Sequence, residues 1–316
     1  MSNVNKHSPI LVTGAHRSGT TWIGKMLSIP KGVQYLYESF HPDGLLRMTK
    51  LFPVWFQKLE LSESNQYVYH LDRVFNYKYS LKETFSFMNN RGKFDLKNIG
   101  PRINFYLAAK KNIYKGEPYP VPLLKDPIAL FSAEWLFYMF NTRNVIIIRH
   151  PAAFVYSLKR LNWRFNFQNF LQQSNLMQTY LNVFENDLKS CPDDPIEESA
   201  LLWNCLYHVV ADYRERFPDW IYVRHEDISR SPIKSFKAMY SSLNIHYDQN
   251  VLRKIEKFSA INTPAPKLSE AKIHRLKRDS ASISKVWKTK LNEGEIDRIY
   301  NITKPVSSLF YSDDDW

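Results

Sequence analysis

Residues 9–27 constrain this chain more than any other stretch. Residues 9–13, Pro-Ile-Leu-Val-Thr, form a short apolar run bounded by Pro and Gly, which predicts a buried parallel strand. Gly14, four residues and then Gly19 follow. Trp22, Ile23, Met26 and Leu27 recur at helical spacing, so residues 20–27 are expected to be a helix. A strand, a glycine-bounded turn and a helix N-terminus in that order aim backbone N–H groups at one point, where an anion can sit.

The rest of the chain repeats this alternation. Residues 33–36, 121–124, 144–148 and 220–223 read as further strands, of which Asn144-Val-Ile-Ile-Ile148 is the clearest. Helices are expected from Ser132, as N-cap, to about 138, over 151–161 with Pro151 in the first turn, and over 167–188, 196–216, 232–242 and 248–258. Asn292-Glu-Gly-Glu295 is a capping-box signature for a final helix. Strands alternating with helices imply an α/β, P-loop-like three-layer fold: a mainly parallel, doubly wound central sheet flanked by helices. No linker, repeat or low-complexity tract divides the sequence. The expectation is one domain over 1–316, with an aromatic-rich insertion at about 38–120 and a basic loop at about 261–290.

Composition narrows the partners. The net charge of +12 permits anionic ligands, membranes or nucleic acid. Lys and Arg are spread along the whole chain, which favours a local anion site over a nucleic-acid stripe. Two cysteines, Cys191 and Cys205, make no disulfide framework. The start MSNVNKHSPI has no apolar signal region, and no apolar run approaches ~18 residues. A soluble cytoplasmic protein is expected, with room for peripheral membrane contact.

The loop matches most of G-x-x-x-x-G-K-[ST], but Thr20 stands where the triphosphate loop carries its lysine. Ser18, Thr20 and Thr21 add hydroxyls, and Arg17 adds a permanently charged fork for phosphate or sulfate oxygens. A shorter anionic chain than a triphosphate is implied. No strand ends in a Walker-B Asp. The strand 144–148 ends instead in Arg149-His150-Pro151, with Ser157 on the following helix, and ligands gather at such carboxyl ends. Arg149 and Ser157 are candidates to hold a second phosphate.

These two motifs together resemble the PAPS-dependent sulfotransferase family, PAPS being 3′-phosphoadenosine 5′-phosphosulfate. Arg17-Ser18-Gly19-Thr20-Thr21-Trp22 is similar to its 5′-phosphosulfate loop, [K/R]-S-G-T-T-W. Arg149, Pro151 and Ser157 are similar to its 3′-phosphate motif. The resemblance implies PAPS as co-substrate, PAP as product and no essential metal. It implies that Arg17 neutralises sulfuryl and bridging oxygens, and that Trp22 packs near adenine; anchoring helix 20–27 in the core is the other role open to Trp22. Val223-Arg224-His225-Glu226-Asp227 resembles the family's R-Y-E-D-L, with His225 in place of Tyr. Lys277-Arg278 and Val286-Trp287-Lys288 resemble its C-terminal loop, which makes Arg278 a further candidate for the 3′-phosphate.

Sulfuryl transfer to a hydroxyl requires a base for the acceptor proton. Glu38 and His41 follow the strand 33–36. A carboxylate there resembles the base of the carbohydrate- and tyrosylprotein-type members, which favours Glu38 over His41. Lys125 ends another strand and is a candidate to meet the bridging oxygen, or to pair with Glu38 or Asp126. The acceptor is expected to be a small molecule or glycan, with a carbohydrate or glycolipid hydroxyl preferred. Trp55 and the segment Trp163-Arg-Phe-Asn-Phe167 could stack on it or belong to the core. Two other readings stand beside this one: a P-loop kinase or NTPase using ATP and Mg²⁺, and a non-enzymatic nucleotide-binding module.

Overall fold

The computed structural model describes residues 8–42, 51–76, 120–259 and 285–316. Most of the aromatic insertion and most of the basic loop, with Arg278, lie outside the described residues. Five strands form one sheet: β1 (Ile10–Gly14), β2 (Val33–Tyr37), β3 (Val121–Lys125), β4 (Arg143–Ile148) and β5 (Ile221–Arg224), in the order β2-β3-β1-β4-β5. Every pairing among them is parallel.

The helices that shape the site are α1 (Thr20–Leu27), α2 (Ser64–Phe75), α3 (Ala133–Phe140), α4 (Pro151–Leu161) and α5 (Pro195–Arg216). After β5 come α6 (His225–Arg230), α7 (Pro232–Ser242), α8 (Gln249–Ser259) and α9 (Glu293–Ser307). Asn292 closes the capping box of α9 with Glu295, as its sequence signature predicts.

Side chains alternate across a strand, and the two faces of the sheet build separate cores. Ile10 and Val12 of β1 and Val145 and Ile147 of β4 pack with Ile23 and Met26 of α1 and Phe236 and Tyr240 of α7. Leu11, Ile146 and Ile148 point the other way, into Trp135, Phe154, Trp203 and Tyr207 of α3, α4 and α5. The result is three layers. All these side chains are at most 3% exposed, and each large one adds roughly 1.5–3 kcal/mol on burial.

This winding positions the site. From β1 the chain runs through α1 on one face, and from β4 it runs through α4 on the other. The loops that leave these adjacent strands therefore diverge and open a crevice at their carboxyl ends. Two expectations need correction. Residues 168–190 are not one helix but a series of short helical turns that includes a π-type segment at Met177–Leu181. Ser132 sits at the N-cap of α3 but does not cap it; its hydroxyl donates to the Gln57 carbonyl oxygen at 2.5 Å.

Candidate active site

The crevice begins with the loop after β1. Gly14 has φ 144°, and a Cβ there would lie 2.4 Å from the Ile147 carbonyl oxygen, so only glycine lets β1 and β4 approach this closely. Gly19 has φ 95°, and a Cβ there would meet the His225 ring at 2.4 Å. Arg17 also takes the left-handed region, at φ 66°, and the Ser18 N–H closes the turn onto the Ala15 carbonyl at 3.1 Å. No side chain caps α1, and the buried Ser18 Oγ has no protein partner. Thr20 is buried, and Thr21 is half-buried beside it. The loop therefore leaves unsatisfied donors around one point, as an anion site requires.

The two sequence motifs meet here. Arg17 Nε donates to Ser157 Oγ of α4 at 3.2 Å. Arg149 Nη1 donates to the carbonyl oxygen of Arg17, while Arg149 Nε is buried without a partner. The main chain of Arg149 is held on both sides: its N–H donates to the Tyr207 hydroxyl at 3.0 Å, and its carbonyl accepts from Trp203 Nε1 at 2.8 Å. The next N–H, of His150, donates to Glu226 Oε1 at 3.1 Å.

The ends of β2 and β3 add the acid–base groups. Glu38 adopts φ 37°, and its N–H donates to the Lys125 carbonyl at 3.0 Å. Its carboxylate forms an ion pair with the fully buried Lys125 ammonium. That ammonium also lies 3.9 Å from the centre of the Tyr37 ring. Burial pushes the Lys125 pKa down while Glu38 pulls it up. Burial, and then Glu38, push the Tyr37 hydroxyl well up. Asp126, buried beside this pair, accepts from the Phe40 N–H at 2.7 Å and the Ile128 N–H at 3.0 Å. Burial and the neighbouring Glu38 raise its carboxyl to about 7. Asp126 thus fastens the turn that presents Glu38. Its sequence signal was available: Asp126-Pro127 is an N-cap followed by Pro in the first turn.

His41 is half-buried, with its ring 4.9 Å from that of Trp55. Trp55 lies 5.8 Å from Trp163, and Trp163 packs 4.4 Å from His16 of the loop. Trp55 and Trp163 are half-buried, whereas Phe165 and Phe167 belong to the core. His16 went unnoticed in the sequence. Burial, and then Arg17, lower its pKa to about 3, so the ring is neutral. Trp22 packs edge-on against Phe236 at 5.5 Å and His225 at 6.1 Å. The His225 ring is likewise held neutral, its pKa lowered to about 3 by burial and by Arg149.

Among the described residues, no group of His, Cys, Asp and Glu side chains is arranged to hold a metal ion, and no helix is long and apolar enough to cross a membrane. Cys191 and Cys205 are both free thiols.

The chain aligns with two solved sulfotransferase domains. The one from the curacin biosynthetic pathway aligns with 93% of this chain and 96% of its own, at 13% identity and a TM-score of 0.49. The one from the Synechococcus PCC 7002 olefin synthase aligns over 99% of both chains, at 13% identity and a TM-score of 0.45. No curated protein sequence matches the chain. The model of the sulfotransferase family matches residues 9–249, which run from the residue before β1 to the first residue of α8 and take in every element of the crevice. The chain belongs to the sulfotransferase family.

Proposed function

We propose that this protein transfers the sulfuryl group of PAPS to an acceptor hydroxyl and releases PAP. The observation that carries this reading is the hydrogen bond from Arg17 Nε to Ser157 Oγ, which joins the loop after β1 to the helix after β4. The unpartnered Ser18 Oγ and Arg149 Nε beside it fit a ligand with two separate anionic ends. Gly14 and Gly19 let the loop after β1 pack directly against Ile147 and His225.

In this reading Ser18, Gly19, Thr20, Thr21 and Arg17 bind the 5′-phosphosulfate, and Arg149 and Ser157 bind the 3′-phosphate. Trp22 borders the adenine side. Glu38 takes the proton of the acceptor hydroxyl as the acceptor oxygen forms its bond to sulfur. The bond from sulfur to the bridging oxygen breaks, and PAP leaves with the electron pair. Arg17 and Lys125 stabilise the charge that gathers on the bridging and sulfuryl oxygens. The Lys125 ammonium also holds the Glu38 carboxylate in place through their ion pair. Glu38 is the side chain that pairs with Lys125 at the ends of β2 and β3, which supports it as the base.

The half-buried rings of Trp55 and Trp163, next to His16 and His41, support an acceptor with a ring face, such as a carbohydrate or glycolipid. The free thiols support a cytoplasmic setting.

A ligand that binds only the native state raises the melting temperature. PAP in the presence of EDTA is expected to do so, and labelled PAPS with a glycoside panel should yield labelled product. A shift produced by ATP with Mg²⁺ and not by PAP would overturn the reading in favour of a kinase or NTPase.

A further inference from the structure

The Arg149–His150 turn is braced from a part of the chain beyond the family match, which ends at residue 249. After α9, Tyr311 is 6% exposed, and its hydroxyl donates to Glu226 Oε2 at 2.9 Å. The other oxygen of Glu226 accepts from the His150 N–H at 3.1 Å. A single carboxylate therefore links the turn after β4 to residue 311. The His150 ring sits in a box of rings from the same region: Trp287 is stacked on it at 4.8 Å and 10°, Trp316 lies at 4.5 Å and Tyr311 at 4.9 Å.

The bracing segment is itself anchored. Arg224, at the end of β5, donates to the Phe310 carbonyl at 3.3 Å and to Asp315 at 2.9 Å. Its guanidinium lies 5.1 Å from the centre of the Tyr311 ring. Lys288 donates to the Trp316 carbonyl. Tyr207 and Trp203 hold the main chain of Arg149 from α5, and the hydrogen bond to Glu226 adds a lateral tie on the next residue of the turn. A tie of this kind matters most to a group whose direction must be exact, and a planar Arg fork on a phosphate is such a group.

We infer that Tyr311 and Glu226 are positioning residues that aim Arg149 and set the affinity for the 3′-phosphate without touching it. The inference rests on the donor-site reading above, in which Arg149 binds that phosphate. Removing the Tyr311 hydroxyl frees one side of Glu226, loosens the His150 N–H tie and lets the Arg149 fork drift. The cost falls on ligands that carry a 3′-phosphate. Ligands that engage only the loop after β1 are spared.

The test is calorimetric titration of the full chain with PAP and with adenosine 5′-monophosphate, which lacks the 3′-phosphate. In Tyr311→Phe, which keeps the ring against His150, the Kd for PAP is expected to rise about tenfold, as loss of a hydrogen bond to a charged group implies, while that for the monophosphate holds. The KM for PAPS should rise with kcat at saturation unchanged. Glu226→Gln, which keeps an acceptor oxygen, should show the same selective loss, and it carries the test if Tyr311→Phe does not fold. Equal losses for both ligands, or none, in a folded variant overturn the inference. A wild-type protein with no preference for PAP over the monophosphate overturns the donor-site reading, and this inference with it.

Discussion

Arg17 Nε and Ser157 Oγ are joined by a 3.2 Å hydrogen bond between residues 140 positions apart. One residue belongs to the loop after β1 and the other to the helix after β4, and the bond spans the crevice between them. In the proposed site the two ends of the donor lie on either side of it.

Ser157→Ala removes this partner of Arg17. Ser157 is 3% exposed and small, so Ala fits the space without a large cavity. A hydrogen bond to a charged group is worth about 1.5–3 kcal/mol. The affinity for PAP is therefore expected to fall at least about tenfold, read by calorimetry, with the melting temperature nearly unchanged. Undiminished PAP binding would remove Ser157 from the site.

Glu38→Gln has two separable effects. Loss of a general base lowers the transfer rate by roughly 10²–10⁴-fold. The buried Lys125 also loses its carboxylate, which costs on the order of 2–3 kcal/mol, toward the low side for such pairs because the Glu38 side chain is 16% exposed. Adding Lys125→Met should restore the urea midpoint but not the activity. If the double variant recovers turnover, Glu38 is a structural partner of Lys125 and not the base.

At Gly19 backbone strain and contact act together. Ala at φ 95° is strained by about 1–3 kcal/mol, and its Cβ would also lie 2.4 Å from His225 Cδ2. Gly19→Ala should lower both stability and PAP affinity. His225→Ala in that background relieves the contact but not the backbone strain, so recovery is expected to be partial. Full recovery would mean that φ at this position carries no cost.

Acid should destabilise the protein through its buried imidazoles. His16, His150 and His225 have pKa values lowered to about 3, against 6.5 for a free side chain. Their contribution is complete above about pH 6.5 and is lost as pH falls toward 3, at about 2 kcal/mol each by pH 5. Asp126 runs the other way. Its pKa, raised to about 7, means its contribution is complete below pH 4 and is lost as pH rises toward 7. The three imidazoles outweigh it. His150→Phe keeps the stack on Trp287 and should flatten the fall in urea stability between pH 7 and 5 by about 2 kcal/mol. An unchanged slope would mean that His150 is not buried neutral.

Much of the fold was legible because its signals are local. Apolar runs marked all five strands to within a residue or two, and Asn292 with Glu295 announced the final helix. The π-type turn at 177–181 was not legible, because an amphipathic pattern does not reveal where the hydrogen-bond ladder breaks. Ser132 looked like a cap because the residue type suits one, yet the Gln57 carbonyl, 75 residues away in sequence, takes its hydroxyl.

The candidate site divides along the same line. By itself the sequence determined the βα unit at Gly14–Gly19 and the Arg149–Ser157 motif, since each is a short run whose residue types dictate its local geometry. Through the family resemblance it also favoured Glu38 over His41 as the base, and it left Lys125 between the bridging oxygen and an ion pair. Only the tertiary structure brought Arg17 to Ser157, paired Glu38 with Lys125, turned Asp126 into the anchor of that turn, and set Tyr311 behind Arg149 through Glu226. These contacts join residues 76 to 140 positions apart, and no local pattern encodes them. They exist because the parallel sheet lays its five strands side by side and delivers their carboxyl ends to one edge.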